Sequence, residues 1–192
     1  LRHLGIRVEV IDEPDDEVAV RELAAWLRRT ALDLPPFYLL GDRAFFADRA
    51  KLLGMQVELA DAVPEEASAA FAKALPVVPT GEIATARPGQ PDDTSASAAL
   101  ASIRHAVDHV RTGRAGAVVT NPIAKNVLYR AGFIDPGHTE YLARLCEQAT
   151  GKPVMPVMLL WSPELAVVPV TIHIPLRDVI AQLTTDLIVE TG

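Results

Sequence analysis

Apolar positions along this chain fall into short continuous runs separated by stretches of helical spacing, and the two patterns alternate. The run Phe-Tyr-Leu-Leu at 37–40 predicts a short buried strand, followed by Gly41-Asp42 and an amphipathic helix over 43–53 closed by Gly54. Residues 56–59 predict the next strand. The stretch 76–94 is crowded with Pro, Gly, Thr and Asp and is expected to be loop or irregular strand. Ala98, Leu100, Ile103, Ala106 and Val110 then recur at helical spacing, predicting a long helix over 95–111 ended by Gly113. A buried strand over 115–120 follows, with Asn121-Pro122 as its turn and a helix over 124–130 stopped by Gly132. After a loop at 134–138, residues 139–150 predict a helix ended by Gly151, and 154–161 and 165–174 predict two strands joined by Ser162-Pro163-Glu164 as an antiparallel pair. From 176 onward the pattern is helical again, with Thr184 or Thr185 capping a last turn or two before Gly192. Strands alternating with helices point to an α/β layer architecture with a largely parallel sheet. Residues 4–12 can be laid on 53–61, a match too short to establish a repeat and read as two independent helix-glycine-strand junctions.

Composition narrows the class. With 192 residues, 49% of them hydrophobic and 22% charged, the chain can bury a real core and is expected to form one domain or a domain and a fraction. A net charge of -7 and a pI near 5.2 argue against nucleic-acid binding, which needs clustered Lys and Arg. The apolar runs after 154 are broken by Pro156 and Pro169 and are shorter than the ~20 residues of a membrane span. The first ten residues alternate charged and apolar side chains and lack the continuous apolar segment of a signal peptide. The single cysteine, Cys146, excludes an internal disulfide framework; a reducing cytoplasm and an ordinary buried thiol are expected. The chain opens on Leu1, so residues preceding it are expected.

Five histidines occur without HExxH, CxxC or other compact ligand spacing, so a metal site must be assembled from distant segments. His105 and His109 share a helix face and could hold a metal, but beside Arg104 and Asp108 the pattern is that of an ordinary surface helix. His138, in Pro-Gly-His-Thr-Glu, stands immediately before a helix, where free N–H groups and the dipole favour an anion; alternatively Thr139 merely caps that helix. His173 lies near the end of an apolar strand with Ile172 and Ile174 on the opposite face, suited to ligating a metal in a cleft or to a hydrogen bond in the core. Thr120, Asn121 and Lys125 sit where a strand ends and a helix begins, a place to grip a charged ligand, although lysines there are mostly solvated. Neither GxGxxG nor GxxxxGK[ST] is present, which disfavours a Rossmann or P-loop site.

Val-Val-Thr-Asn-Pro-Ile-Ala-Lys at 118–125, Gly-His-Thr-Glu at 137–140 and Thr-Ile-His-Ile-Pro-Leu-Arg-Asp at 171–178, in this order and spacing, resemble the 4-hydroxythreonine-4-phosphate dehydrogenase family of vitamin B6 synthesis. The likeness runs from residue 24 to the end, leaving 1–23 as an unmatched N-terminal segment. The resemblance implies an isocitrate/isopropylmalate dehydrogenase-like α/β/α sandwich, incomplete at its C-terminus, and a cytoplasmic homodimer. It implies NAD-dependent oxidation of the C3 hydroxyl of 4-phosphooxy-L-threonine, a small phosphorylated hydroxy-amino acid, and decarboxylation to 3-amino-2-oxopropyl phosphate. His138 and Thr139 would then hold substrate, with Lys125 beside them, and His173 would be one of three histidines binding a divalent metal such as Zn, Mg or Co. The family's N-terminal loop of the type E/D-P-A-G-I-G-P is not found, Asn121 stands where Gly is common, and the segments carrying the other two metal histidines and the NAD contacts are absent. The alternatives are a related dehydrogenase acting on another four-carbon acid phosphate or a dihydrodiol acid, and a non-catalytic fragment.

Overall fold

The computed structural model describes residues 7–10 and 16–192, with side chains from Val20 onward. It divides into two compact units, residues 1–137 and 138–192. The first is built on a five-stranded sheet of order β3-β4-β2-β1-β5, formed by β1 (Arg7–Val10), β2 (Phe37–Leu40), β3 (Leu59–Asp61), β4 (Leu75–Val78) and β5 (Ala117–Thr120). Every pairing is parallel. Its helices are α1 (Asp16–Leu27), α2 (Arg43–Leu52), α3 (Pro64–Ala70), α4 (Asp93–Arg111) and α5 (Lys125–Arg130). The α/β class with a parallel sheet is thus observed.

The unbroken apolar sequence of β2 is explained by burial on both faces, as expected of a central parallel strand. Phe37 and Leu39 face one core with Leu23 and Trp26 of α1, Phe46 and Ala50 of α2, and Leu75 and Val77 of β4. Trp26 Nε1 donates to the Phe71 carbonyl at 2.9 Å, and the rings of Phe37 and Phe71 meet edge to face. On the opposite face, Tyr38 and the Leu40 carbonyl meet α4 through His109 and Ser102. Gly41 follows β2 at φ +155, and a Cβ there would lie 3.3 Å from the Phe46 ring, so glycine lets α2 begin close beneath the strand.

Several boundaries differ from the sequence expectation. At the start of the stretch expected to be loop or irregular strand, residues 75–78 form a buried strand in the sheet, despite Pro76. Leu75 and Val77 bond to the β3 side, where Leu75 N donates to Glu58 O and Val77 O accepts from Ala62 N. Pro76 therefore turns its nitrogen toward β2, whose ladder with β4 begins only at Val77, and the missing donor falls outside the paired stretch. β3 starts at Leu59 instead of residue 56. The comparison of residues 4–12 with 53–61 lies partly outside the described residues; where it can be followed, Arg7–Val10 is strand whereas residues 56–58 are not. α4 begins at Asp93, two residues earlier than expected, because Asp92 and Ser95 form a capping box in which each side chain accepts the other's backbone N–H.

The second unit holds α6 (His138–Thr150), a hairpin of β6 (Leu160–Trp161) and β7 (Ala166–Val167), α7 (Leu176–Gln182) and α8 (Thr185–Thr191). The hairpin is antiparallel around residues 162–165, as the sequence suggested, but only two residues long on each side. Pro156 and Pro169 remove ladder donors from the flanking runs, and a lone two-stranded ribbon is marginal. Both strands are exposed, with Trp161 72% accessible, and α7 and α8 bury no residue. Thr184 caps α8 by accepting from Leu187 N at 3.2 Å.

Replacing Asp92 with Ala removes the cap that orders the first turn of α4, and urea unfolding is expected to show a loss of about 1 kcal/mol. Asp92→Asn, which keeps an acceptor, is expected to stay close to the parent; equal losses for both would contradict the capping assignment.

Candidate functional site

Parallel pairing brings the exits of the strands of the first unit to one level. The last residues Thr120, Val10, Leu40 and Val78 are direct partners in that order across β5, β1, β2 and β4. Ligands in open α/β sheets bind beyond this carboxyl edge. Among the described residues, the segments leaving the ends of β2, β4 and β5 are Gly41-Asp42, residues 79–92 and residues 121–124. A small cavity of about 300 Å³ lies there between Gly41, Arg43, Asp61, Gly81 and Glu82, with Arg43 paired to Asp61 at 2.9 Å. A larger groove of about 890 Å³ runs between α2 and residues 83–88. Arg49 closes it, buried, donating to the Ala86 carbonyl at 2.6 Å and lying over the Phe45 ring.

Of the strand-end group, Asn121 is buried and donates through Nδ2 to the Glu22 carboxylate of α1 at 2.9 Å. Ile123 is buried beside it, and Lys125 opens α5 with its side chain exposed and its N–H on the Ile123 carbonyl. Asn121 therefore faces the protein and Lys125 faces solvent. Glu22 carried no expectation from sequence, because its role depends on a contact 99 residues away.

The pair His105 and His109 does not form a ligand set. His109 is buried against the sheet, and its Nδ1 shares a hydrogen with the Tyr38 hydroxyl at 2.8 Å; His105 is half-buried, its ring centroid 6.1 Å away. The surface expectation fails because Ser102, Ile103, Ala106 and His109 share the sheet-facing stripe of α4, whereas Arg104 lies off it. Burial, then the charges of Arg114 and His105, hold the His109 pKa below the usual histidine value, only partly opposed by Asp108 and Glu65. Burial likewise pushes the Tyr38 hydroxyl well above the ordinary tyrosine range.

In the second unit His138 is the first residue of α6 and not a loop residue, and Thr139 lies within its first turn and is not the cap. His138 is half-buried and Thr139 exposed. Cys146 is half-buried on the same helix, not fully buried as expected. His173 lies outside any strand, exposed, at φ +58 between β7 and α7. The strand expected to carry it ends at Val167, and Pro169 and Pro175 bracket an irregular connection. An L residue at such φ carries backbone strain of the kind that collects at binding sites. Among the described residues no three His, Cys, Asp or Glu side chains are grouped to hold a metal ion, and no helix is long and apolar enough to cross a membrane.

A model of the family described as pyridoxal phosphate biosynthetic protein PdxA matches residues 33–192. The 4-hydroxythreonine-4-phosphate dehydrogenase of Bradyrhizobium diazoefficiens is 63% identical over 177 residues, covering 88% of this chain and 51% of that protein. The enzyme of the same name from Methylorubrum populi is 52% identical over 172 residues, covering 88% and 49%. Among solved structures, a 4-hydroxythreonine-4-phosphate dehydrogenase from Burkholderia phymatum matches with a TM-score of 0.84 at 24% identity, over 98% of this chain and 56% of that one. A terephthalate 1,2-cis-dihydrodiol dehydrogenase from Burkholderia xenovorans matches at 0.64 and 19% identity, over 96% and 53%. These two structures show likeness of fold alone. The chain spans about half the length of the curated relatives it matches.

The neutral, buried His109 gives the first unit a pH dependence of its own. Its folded pKa lies below that of the unfolded chain, near 6.5, so the stability it contributes is complete above about pH 6.5 and is lost as pH falls toward the folded value. In a Trp161→Phe background, urea unfolding read by Trp26 fluorescence is expected to weaken between pH 7.5 and 5.5 by up to about 1.4 kcal/mol per pH unit more than in His109→Gln. Equal slopes for the two proteins would contradict the buried neutral imidazole.

Proposed function

This chain belongs to the PdxA family of pyridoxal phosphate biosynthetic proteins, and from that premise we propose that it is the N-terminal and central part of a 4-hydroxythreonine-4-phosphate dehydrogenase. The reaction is NAD-dependent oxidation of the C3 hydroxyl of 4-phosphooxy-L-threonine, hydride passing to NAD and the hydroxyl proton to the surroundings, followed by loss of carbon dioxide to give 3-amino-2-oxopropyl phosphate. The reading extends to an isocitrate/isopropylmalate dehydrogenase-like sandwich and a cytoplasmic homodimer. Its main support is 63% identity to a protein of that name over 88% of this chain, together with the family match over residues 33–192, which contains Lys125, His138, Thr139 and His173. The likeness to a dihydrodiol dehydrogenase is one of fold alone.

The roles follow from local chemistry. The first turn of α6 presents the positive end of the helix dipole, which suits a phosphate or carboxylate. His138 and the Thr139 hydroxyl stand on that turn and add donors to the same anion. In the first unit Lys125, exposed at the start of α5, is the candidate cation for a charged substrate group. The strained backbone at His173 and its exposure agree with an imidazole set out toward a ligand. One imidazole does not make a metal site, since three protein ligands are usual, and no step is assigned to a metal on this chain alone. His173 would contribute one ligand to a divalent ion such as Zn, Mg or Co, and the chemistry such an ion would supply is polarisation of the alcohol and stabilisation of the enolate.

The 192-residue chain alone is expected to form no NADH from 4-phosphooxy-L-threonine with NAD and Zn²⁺ or Mg²⁺. Joined to the C-terminal half of the Bradyrhizobium relative, it is expected to turn the substrate over. In that chimera His173→Ala should cost at least roughly 100-fold in kcat/KM, and His138→Ala should raise KM by about tenfold. A folded chimera that is inactive, or one indifferent to both substitutions, would overturn the reading.

A further inference from the structure

The bond between Asn121 and Glu22 joins residues 99 apart in sequence and lies between two side chains that are 9% and 4% accessible. Such a bond is not incidental. A carboxylate buried to this degree is tolerated only when hydrogen-bonded, and an amide held on it is fixed in place. Asn121 is also the first residue after β5, at the carboxyl edge of the sheet, and four residues before Lys125. Downstream, α5 is only six residues long, and its N-cap Ala124 provides no side-chain bond. The helix start that carries Lys125 is held by what precedes it: the buried Ile123 side chain, the Lys125 N–H on the Ile123 carbonyl at 2.9 Å, and the bonds of Val127 and Leu128 to the Ala124 carbonyl at 2.9 and 3.1 Å. Upstream, β5 pairs only with β1 among the described residues and is half-exposed, so the sheet grips this segment from one side.

We propose that Asn121 is a positioning residue, which through Glu22 fastens the segment 121–125 to α1 and so fixes where Lys125 presents its ammonium group. Gly at this position would leave the segment without that tie. The consequence is that α1, outside the residues matched by the family model, contributes to the substrate end of the sheet. Lys125 as a substrate contact rests on the function proposed above; the fastening itself does not.

Hydrogen exchange in the 192-residue chain separates the two. In Asn121→Ala, exchange at the Lys125, Val127 and Leu128 amides is expected to speed up about tenfold or more, while the β2 amides at 37–40 keep their rates. Asn121→Asp should behave like Asn121→Ala because it opposes two carboxylates. Asn121→Asp combined with Glu22→Gln restores an amide–carboxylate bond in reverse and should recover the parent rates. Local exchange unchanged by Asn121→Ala, acceleration spread equally over β2, or failure of the reversed pair to rescue would each overturn the fastening. Titration of the chimera with 4-phosphooxy-L-threonine, followed on the ¹³C-methylated lysine signals, tests the substrate contact separately: a response at Lys125 that weakens in Asn121→Ala supports it. A silent Lys125 in a chimera that turns the substrate over removes Lys125 from the substrate site and leaves the fastening intact.

Discussion

β1 pairs in parallel with β2 on one edge and with β5 on the other, and this double pairing is the constraint from which the geometry of the first unit follows. A strand in that position must run in the same sense as both neighbours, so the chain after β5 leaves the sheet at the same edge as the chain after β2. Thr120, Val10, Leu40 and Val78 consequently line up, and Asn121 and Gly41 begin their segments from one level. Without β1 there is no register between the part of the sheet that carries the main core and the part that carries Lys125.

The two units differ in how they satisfy their apolar surface. In the first, β2 is covered on both faces, and Tyr38 with His109 and Trp26 with the Phe71 carbonyl are paired in the interior. In the second, Leu160, Trp161, Leu176 and Ile180 are exposed. Large apolar side chains left exposed in this number are commonly covered by other parts of a protein. It agrees with a family whose members are about twice as long as the span this chain matches.

Much of the fold was legible because it rests on short-range rules. Phe-Tyr-Leu-Leu declares a strand buried on two faces, and Gly54, Gly113, Gly132 and Gly151 end their helices at positive φ. Where long-range pairing decided the outcome, local reasoning failed. The stretch from Pro76 read as loop or irregular strand, and the regular strand at its start was hidden because the missing donor of Pro76 is harmless only in the register that β4 adopts between β2 and β3. His109 was assigned to the surface from its charged neighbours, although its spacing from Ile103 and Ala106 placed it on the buried stripe. The candidate site was legible as motifs more than as geometry. Lys125, His138 and Thr139 do fall at helix starts, but His173 left its expected strand for a strained connection, and the role of Glu22 depended on a contact that no local pattern encodes.

The most direct test of β1 as the joint of the sheet is amide hydrogen exchange at residues 8–10 in the 192-residue chain. Paired on both edges, these amides should exchange as slowly as those of Phe37–Leu40 and lose protection together with them in urea. Exchange at 8–10 near the rate of an unstructured peptide, with β2 still protected, would show that β2 and β5 are not held together in this way and would remove the geometric basis for the site.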